Sequence, residues 1–366
     1  MEKRIKIITI GSAMYDIFLQ YICKDLLTID SLPELHLFML LEAGKKYELQ
    51  SVVYHTGGGA TNSAASFARL GFEVSSFFKI GTDDSGKAII DELVHNNVHT
   101  DYVLKTNKAE TGTSFVIPHP SGDRTTLIHR GANLTLTQTE LPLAAIAEHD
   151  YIYVTSLSGA TAPLIEIIAA HAKKYNKPIA VNPGTSQLVE GAQHLRNTLP
   201  HIDILVLNCY EASLLMHELM PEKHEENKNF SQGAHTPCLL QTSLLPDQSL
   251  FNIRIFFKEI LAQGPRIVVV TNGAEGVYVA QENMIYFHPS LELEVISTLG
   301  AGDAFSSCFV AQIAQNKPLE HAIRCGIANA SSVIQHTDTK TGLLSSEELE
   351  RRVQNIDKDL LQAFDL

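Results

Sequence analysis

The stretch Ser297-Thr-Leu-Gly-Ala-Gly-Asp303-Ala-Phe-Ser-Ser-Cys-Phe-Val-Ala-Gln-Ile313 is the most informative part of this sequence. Gly300-Ala301-Gly302 predicts a turn whose backbone can approach a ligand closely, and the apolar residues after it predict a core-facing helix. Free N–H groups at such a helix start form an anion site. Asp303 is placed to take a proton from an attacking hydroxyl, or it is a first-turn residue that answers the helix dipole. The local sequence leaves both interpretations open.

Short runs of apolar residues recur along the chain with helical stretches between them. They are Ile5–Ile10, Val74–Ile80, Tyr151–Thr155, Asp203–Leu207 and Ile267–Thr271. Several are apolar on consecutive rather than alternate positions, which is typical of strands buried on both faces in a parallel sheet. The pattern therefore predicts an α/β fold in which helices cover a mostly parallel central sheet.

Two segments, around residues 35–56 and 113–129, are strand-like but contain turn residues, and they predict hairpins outside the main sheet. A small β lid built from residues of about 13–56 and 113–130 would lie over the strand ends, where open α/β sheets bind ligands. Residues 221–250 contain three prolines and a charged run and predict a loop insertion. The rest of 1–366 is interpreted as one domain, which ends in a helix that begins at Ser345 or Ser346.

Composition narrows the class of protein. The chain has 366 residues, 45% hydrophobic, with a formal net charge of −13, so nucleic acid and anionic membranes are disfavoured as partners. Five widely spaced cysteines form no C-x-x-C pair, which fits a reducing compartment. No apolar run is long enough to span a bilayer and no signal peptide is evident. We therefore expect a cytoplasmic protein.

Taken with four further stretches, the Gly300–Asp303 segment resembles the ribokinase (PfkB) family of carbohydrate and nucleoside kinases. The stretches occur in the family's order and are Gly11–Asp16 after the first strand, the glycine-rich Gly57–Asn62, Gly81–Gly86 as G-x-D-x-x-G, and Asn208–Glu211 as N-x-x-E. The resemblance covers nearly the whole chain apart from about 221–250.

This resemblance implies a Rossmann-like core with a β lid, in which ATP and a hydroxylated substrate meet at the strand ends. Asp303 would be the general base that takes the proton of the accepting hydroxyl. The N–H groups of Gly300, Ala301, Gly302 and Asp303 would hold the transferring phosphoryl group. These implications agree with the residues, because phosphoryl transfer needs mainly positioning and a preorganised positive field. The leading hypothesis is an ATP-dependent kinase acting on a primary hydroxyl of a sugar or sugar acid.

The resemblance also assigns binding residues on the acceptor side. Asp16 and Asn62, with the backbone of Gly58 and Gly59, would bind substrate hydroxyls. Arg130 either contacts substrate or phosphate or is a solvated arginine.

On the nucleotide side, Asn208 and Glu211 would organise Mg²⁺ and phosphate, often through water, although Asn208 alone is typical of a helix N-cap. The loop that contains Thr271, Gly273 and Gly276 resembles the family's nucleotide-side loop. Asn329, on a late helix, is the candidate adenine contact.

Other interpretations remain. The family has Asp where this chain has Ser297, and that Asp helps to organise a monovalent-cation site, so potassium activation is open. A nucleoside kinase would need an aromatic slot, for which the candidates are Phe38, Tyr47, Tyr54 and Phe115. A non-catalytic sugar or nucleotide sensor is a third interpretation. Edge strands in a lid are often covered by a second subunit, which makes a homodimer plausible.

Overall fold

A ten-stranded sheet forms the centre of the fold, and a second, four-stranded sheet lies outside it. The computed structural model describes residues 4–20, 26–31, 34–39, 41–118, 124–219, 236–243, 245 and 251–366. The strands are β1 (Lys6–Ile10), β2 (Met14–Gln20), β3 (Leu26–Ser31), β4 (Glu34–Met39), β5 (Ser51–Gly57), β6 (Glu73–Phe77), β7 (Lys79–Gly81), β8 (Val98–His99), β9 (Leu104–Thr106), β10 (Thr113–Pro118), β11 (Arg124–His129), β12 (Tyr151–Val154), β13 (Ile179–Val181), β14 (Ile204–Asn208), β15 (Ile267–Thr271), β16 (Gly276–Gln281), β17 (Met284–Pro289) and β18 (Gln362–Asp365). The helices are α1 (Gly59–Arg69), α2 (Asp84–His95), α3 (Leu143–Glu148), α4 (Leu164–Lys174), α5 (Thr185–Thr198), α6 (Cys209–Leu219), α7 (Cys238–Gln241), α8 (Ile253–Ala262), α9 (Ala301–Ala314), α10 (Leu319–Val333) and α11 (Ser346–Gln354).

The strands of the central sheet follow the order β18-β17-β16-β15-β14-β13-β12-β1-β6-β8. Those from β15 to β8 pair in parallel. The three strands at the other edge, β16 to β18, pair antiparallel. The predicted fold class, a mostly parallel α/β sheet with a small β lid, is confirmed.

Helices cover both faces of this sheet because its strands bury side chains on both sides. On β1, Ile8 belongs to the core layer on one face, which includes residues of α4, α5, α6 and α8, whereas the adjacent Ile7 belongs to the layer on the other face, with residues of α1, α2, α9 and α10. Both isoleucines are fully buried, and such burial stabilises the fold by roughly 1.5–3 kcal/mol per side chain. Consecutive apolar residues are therefore the signature of this sheet.

The second sheet has the order β11-β10-β2-β5 and draws its strands from both predicted lid segments. In its register Tyr54 lies opposite Ile17, Ile17 opposite Phe115, and Phe115 opposite Leu127. Cross-strand partners share a face, and Tyr54, Phe115 and Leu127 are exposed. These four residues, here called the lid row, form an apolar line across one face of the lid.

The predicted 221–250 insertion lies largely outside the described residues. Within it, α7 buries Leu239 and Leu240 in the core. The predicted C-terminal helix is confirmed as α11: the Ser345 hydroxyl oxygen accepts from the Glu348 N–H at 3.3 Å, and the Glu348 carboxylate accepts from the Ser345 N–H at 3.0 Å. After α11 the chain adds β18 to the sheet, a strand that the sequence analysis did not predict. Among the described ranges, no helix combines the length and apolarity that a bilayer span requires.

Candidate active site

The candidate site lies at the edge of the sheet where the parallel strands end. β1 ends at Ile10, β12 at Val154, β14 at Asn208 and β15 at Thr271. Because parallel strands present their carboxyl ends at one edge, the segments that follow them meet there. Most of the residues singled out from the sequence belong to these segments or to the helix starts beside them.

The turn before α9 has the geometry of an anion site. Gly300 is the N-cap of α9 and has a left-handed backbone conformation, with φ of 76°. The Ala301 N–H donates to the Thr298 carbonyl at 3.4 Å, and the N–H groups of Gly302 and Asp303 have no carbonyl one turn earlier within the helix. Among the described residues, and apart from the backbone of α9 itself and the two chain neighbours, no atom lies within 4 Å of the position that a Cβ would occupy on Gly302. The start of α9 therefore has donors and open space for an anionic group.

Asp303, in the first turn of α9, is half-buried and joins this turn to the glycine-rich segment. The Asn62 Nδ2 donates to its Oδ2 at 2.8 Å, across 241 residues of sequence. Burial raises the pKa of the Asp303 carboxyl; the Asn62 hydrogen bond and the positive charge of Lys340 oppose this rise, and the charge of Asp16 adds to it. The candidate base and the candidate acceptor residue Asn62 therefore lie in one cleft.

Asp16, on the lid strand β2, is buried and faces the same cleft. Its Oδ1 accepts a 2.5 Å hydrogen bond from the Ser114 hydroxyl of β10. Burial raises the pKa of Asp16, against the effects of Ser114, Lys340 and His55. A Cβ on Gly57 would lie 1.9 Å from the Asp16 Oδ2. The glycine at position 57 therefore allows the end of β5 to pack directly on this carboxylate.

The other two glycines of that segment start α1. Gly58 is the N-cap, with φ of 96°, and a Cβ on it would lie 2.6 Å from the Ser12 carbonyl oxygen. A Cβ on Gly59 would lie 2.8 Å from the Thr155 Cβ. Close packing, rather than flexibility, therefore accounts for the Gly57–Gly59 turn.

Lys340 is a residue of this cleft that the sequence analysis missed. It is buried, and its Nζ donates to the Thr56 carbonyl and, at 3.0 Å, to the Thr56 hydroxyl. Burial lowers the pKa of Lys340 to about 8, although Glu92, Asp16, Asp338 and Asp303 raise it. The polar run 337–342 after the apolar helix α10 was the available signal.

Two arginines reach the cleft from the lid side. Arg130 is half-buried, and its Nη1 donates to the Ser158 hydroxyl at 3.1 Å, beyond the end of β12. Arg124, at the start of β11, donates from Nη1 to the Thr298 hydroxyl at 2.5 Å. Arg124 was not predicted, and it links the lid to the anion turn.

Asn208 and Glu211 cap α6 reciprocally. The Asn208 Oδ1 accepts from the Glu211 N–H at 2.8 Å, and the Glu211 Oε2 accepts from the Asn208 N–H at 3.0 Å. The N-cap interpretation of Asn208 therefore describes its hydrogen bonding. The pKa of Glu211 is raised to about 7, and burial is the largest cause of this rise. Such a desolvated carboxylate beside an amide oxygen fits a Mg²⁺ ion held through water.

Two of the predicted nucleotide residues have packing roles instead. The buried Asn329 donates from Nδ2 to the Ala304 carbonyl at 2.9 Å and accepts from the Leu344 N–H at 3.0 Å. Its side chain joins α9 to α10, which corrects the adenine contact predicted for it. A Cβ on Gly276 would lie 2.2 Å from the His288 carbonyl oxygen, so pairing of β16 with β17 explains that glycine.

The other two residues predicted for the nucleotide side, Thr271 and Gly273, lie at and just beyond the end of β15. Thr271 ends β15, and Gly273 lies in the following turn, where no atom of the described chain other than its two neighbours in sequence lies within 4 Å of a Cβ position. Ser297 accepts from the Leu299 N–H at 3.2 Å and donates its own N–H to the Ile334 carbonyl at 3.1 Å.

An α/β sheet that carries a glycine anion turn, a half-buried carboxylate and a lid at its carboxyl edge defines the class of phosphoryl-transfer enzymes that act on small hydroxylated molecules. The sequence model of the pfkB family carbohydrate kinases matches residues 6–242 and 246–346 of this chain. The chain belongs to this family. The predicted family and the prediction of an ATP-dependent carbohydrate kinase are confirmed.

Similar proteins come from several kingdoms. The ribokinase of Bacillus subtilis (strain 168) is 25% identical over 296 residues, which cover 80% of this chain and 86% of that protein. The structure of Arabidopsis thaliana ribokinase complexed with ribose and ATP superposes with a TM-score of 0.72 at 20% identity, covering 96% of this chain and 99% of that one. The Burkholderia thailandensis nucleoside kinase in complex with inosine has a TM-score of 0.70 at 15% identity and covers 95% and 97%.

Proposed function

We propose that the protein transfers the γ-phosphoryl group of ATP to a primary hydroxyl of a sugar or sugar acid, with Asp303 as general base. The observation that carries this proposal is the 2.8 Å hydrogen bond from Asn62 to Asp303. This bond joins the glycine-rich segment Gly57–Asn62, which was predicted to bind the acceptor, to the first turn of α9. A base must reach the hydroxyl that it deprotonates, and that hydroxyl must in turn lie beside the phosphorus that it attacks.

In this mechanism Asp16 binds a hydroxyl group of the acceptor, and Asn62, which was predicted to bind the acceptor as well, orients the Asp303 carboxylate through its 2.8 Å hydrogen bond. As the bond from the acceptor oxygen to the γ-phosphorus forms, the bond from that phosphorus to the β-phosphate oxygen breaks and ADP leaves, and the hydroxyl proton moves to the Asp303 carboxylate. Burial raises the pKa of that carboxyl, which makes it a stronger base than an exposed aspartate. The N–H groups of Gly302 and Asp303, which have no carbonyl acceptor one turn earlier within α9, stabilise the negative charge on the phosphoryl oxygens.

On the nucleotide side, Asn208 and Glu211 would hold Mg²⁺ through water, and Thr271 and Gly273 would lie against ATP. The ion supplies positive charge to the phosphates when bound. The protein's own part is to orient these two side chains, which the reciprocal α6 cap achieves.

The test is Asp303→Asn, which keeps the size of the side chain and removes its basicity. We expect kcat to fall by about 10²-fold to 10⁴-fold with little change in the KM for ATP. Asp91→Asn, an exposed change on α2, is the matched control and should retain the wild-type rate. A wild-type kcat in Asp303→Asn would overturn the base assignment.

The acceptor is tested with a panel of ribose, fructose, 2-keto-3-deoxygluconate and adenosine and radiolabelled ATP. Turnover of a sugar or sugar acid supports the proposal. Turnover of adenosine alone would replace it with a nucleoside kinase. The same assay with K⁺ exchanged for Na⁺ measures whether Ser297 is compatible with monovalent-cation activation.

We also propose a homodimer in which a second copy covers the lid row. Support comes from the exposure of Tyr54, Phe115 and Leu127 on one face of the lid, because an apolar line on an exposed sheet is costly in water. Light scattering should give a dimer for the wild type and a monomer for Leu127→Lys. A wild-type monomer at assay concentration would refute this arrangement.

A further inference from the structure

Thr339 is the far end of a three-residue polar chain that leads to the candidate base. Its hydroxyl donates to the Asn62 Oδ1 at 2.8 Å, and the Asn62 Nδ2 donates to the Asp303 Oδ2 at 2.8 Å. Thr339 is 3% exposed and Asn62 5% exposed, so water has little access to replace either bond. The Asn62 amide is therefore held at both ends by protein groups.

The chemistry of an amide explains why the second end matters. An ionised carboxylate only accepts hydrogen bonds, so the nitrogen of Asn62 must face Asp303 and its oxygen must face Thr339. Without the Thr339 hydroxyl, that buried oxygen would have lost its donor, which is unfavourable. The amide would then rotate toward another donor and leave the carboxylate.

The same threonine also packs against the anion turn. A Cβ built on Gly300 would lie 2.7 Å from the Thr339 Cβ and 2.8 Å from its Cγ2. The hydroxyl of Thr339 therefore donates to Asn62, while its carbon atoms pack beside Gly300, the residue that begins the anion turn. Substitutions can separate these contacts, because valine keeps the methyl group and serine keeps the hydroxyl.

We propose that Thr339 is a positioning residue, whose hydroxyl holds the Asn62 amide in the orientation that aims it at Asp303. This inference rests on the base role proposed for Asp303. It assigns a function to a loop residue that lies beyond α10 and contacts neither the carboxylate nor the reacting atoms directly. Its effect is therefore expected on the chemical step rather than on ATP binding.

The experiment measures kcat and the KM for ATP in two matched pairs of variants. The first pair is the wild type and Thr339→Val, and the second pair is Thr339→Ser and Thr339→Ala. In each pair, only the first member carries a hydroxyl at position 339. We expect loss of the hydroxyl to lower kcat by about 10-fold to 100-fold in both pairs, with the KM for ATP unchanged. Thr339→Ser should remain within about 3-fold of the wild type, since it keeps the donor.

A double-mutant cycle tests whether Thr339 acts through Asn62. In an Asn62→Ala background, Thr339→Val should have no further effect on kcat, because the amide that the hydroxyl orients is gone. Thr198→Val is the control for general destabilisation: Thr198 is buried in α5 and donates to the His194 carbonyl at 2.6 Å, away from the cleft. It should leave kcat unchanged.

The outcomes separate this inference from the proposed function. If Asp303→Asn is slow while Thr339→Val and Thr339→Ala both turn over at the rates of their hydroxyl-bearing partners, the positioning role is wrong and the base role stands. Additive effects of Thr339→Val and Asn62→Ala would also overturn it. If Asp303→Asn itself has the wild-type rate, the base assignment fails first. Should Thr339→Val not fold, the serine and alanine pair gives the same measurement.

Discussion

Gly57→Ala is a small change that should displace a specific carboxylate. The added Cβ would lie 1.9 Å from the Asp16 Oδ2 and 2.9 Å from its Cγ, and both distances are too short for a non-bonded contact of a Cβ atom. The clashing atoms belong to the Asp16 carboxyl group, which can rotate about the side-chain bonds. We therefore expect the carboxylate to turn away and β5 to stay folded. The rotation breaks the 2.5 Å hydrogen bond from Ser114.

The size of the effect follows from the hydrogen bond that the displaced carboxylate would no longer make to an acceptor hydroxyl. A hydrogen bond to a charged group contributes about 1.5–3 kcal/mol, which corresponds to roughly 10-fold to 100-fold in an equilibrium constant. If Asp16 binds the acceptor, kcat/KM for the acceptor should fall by about this factor, while the KM for ATP stays the same. The melting temperature should fall by less than about 5 °C.

The assay is steady-state kinetics with the acceptor varied at saturating ATP, for Gly57→Ala, Asp16→Ala and the double variant. Since alanine at 16 removes the clashing atoms, Gly57→Ala should cost nothing further in that background. Wild-type acceptor kinetics in Gly57→Ala would refute the assignment of Asp16 to the acceptor. A further loss in the double variant would show that the glycine acts through the backbone instead.

Further predictions concern charge in the cleft and a helix cap. Lys340→Met removes a positive charge that lowers the pKa of Asp303. In this variant the Asp303 carboxyl should stay protonated to higher pH, and the acidic limb of the kcat/KM profile should therefore move to higher pH. A limb at the wild-type pH would contradict this coupling. The pKa of Lys340 itself is lowered to about 8, so a wild-type transition near that pH should be absent in Lys340→Met. Ser345→Ala removes the cap of α11 and should lower the unfolding free energy by about 1 kcal/mol in denaturant titrations, with kcat unchanged.

The residue pattern predicts the structure best where burial alone determines it. Runs such as Ile267–Thr271 are apolar at consecutive positions because helices cover both faces of the sheet, and these runs became strands. This pattern did not predict β13, which has three residues, or β18, which has four. Strands this short contain too few positions to show a period. They form by pairing with neighbouring strands, on both sides for β13 and at the edge of the sheet for β18.

Asn329 shows the limit of interpretation by motif. Its position on a late helix resembled that of an adenine contact, yet its amide bonds Ala304 and Leu344 inside the core. A polar residue on an apolar helix has the same appearance in sequence whether it faces a ligand or a backbone carbonyl. Only the packing of α10 against α9 distinguishes the two.

By itself, the sequence determined the α/β architecture, the family and the glycine turn at Gly300, because these depend on local pattern and on motifs read in order. Tertiary structure alone decided which side chains surround Asp303. Asn62, Thr339 and Lys340 are brought to it from segments up to 241 residues apart, and no local pattern records such a contact. The physical reason is that hydrogen bonding and charge act through space, and the fold sets those distances only after the sheet and its helices have packed.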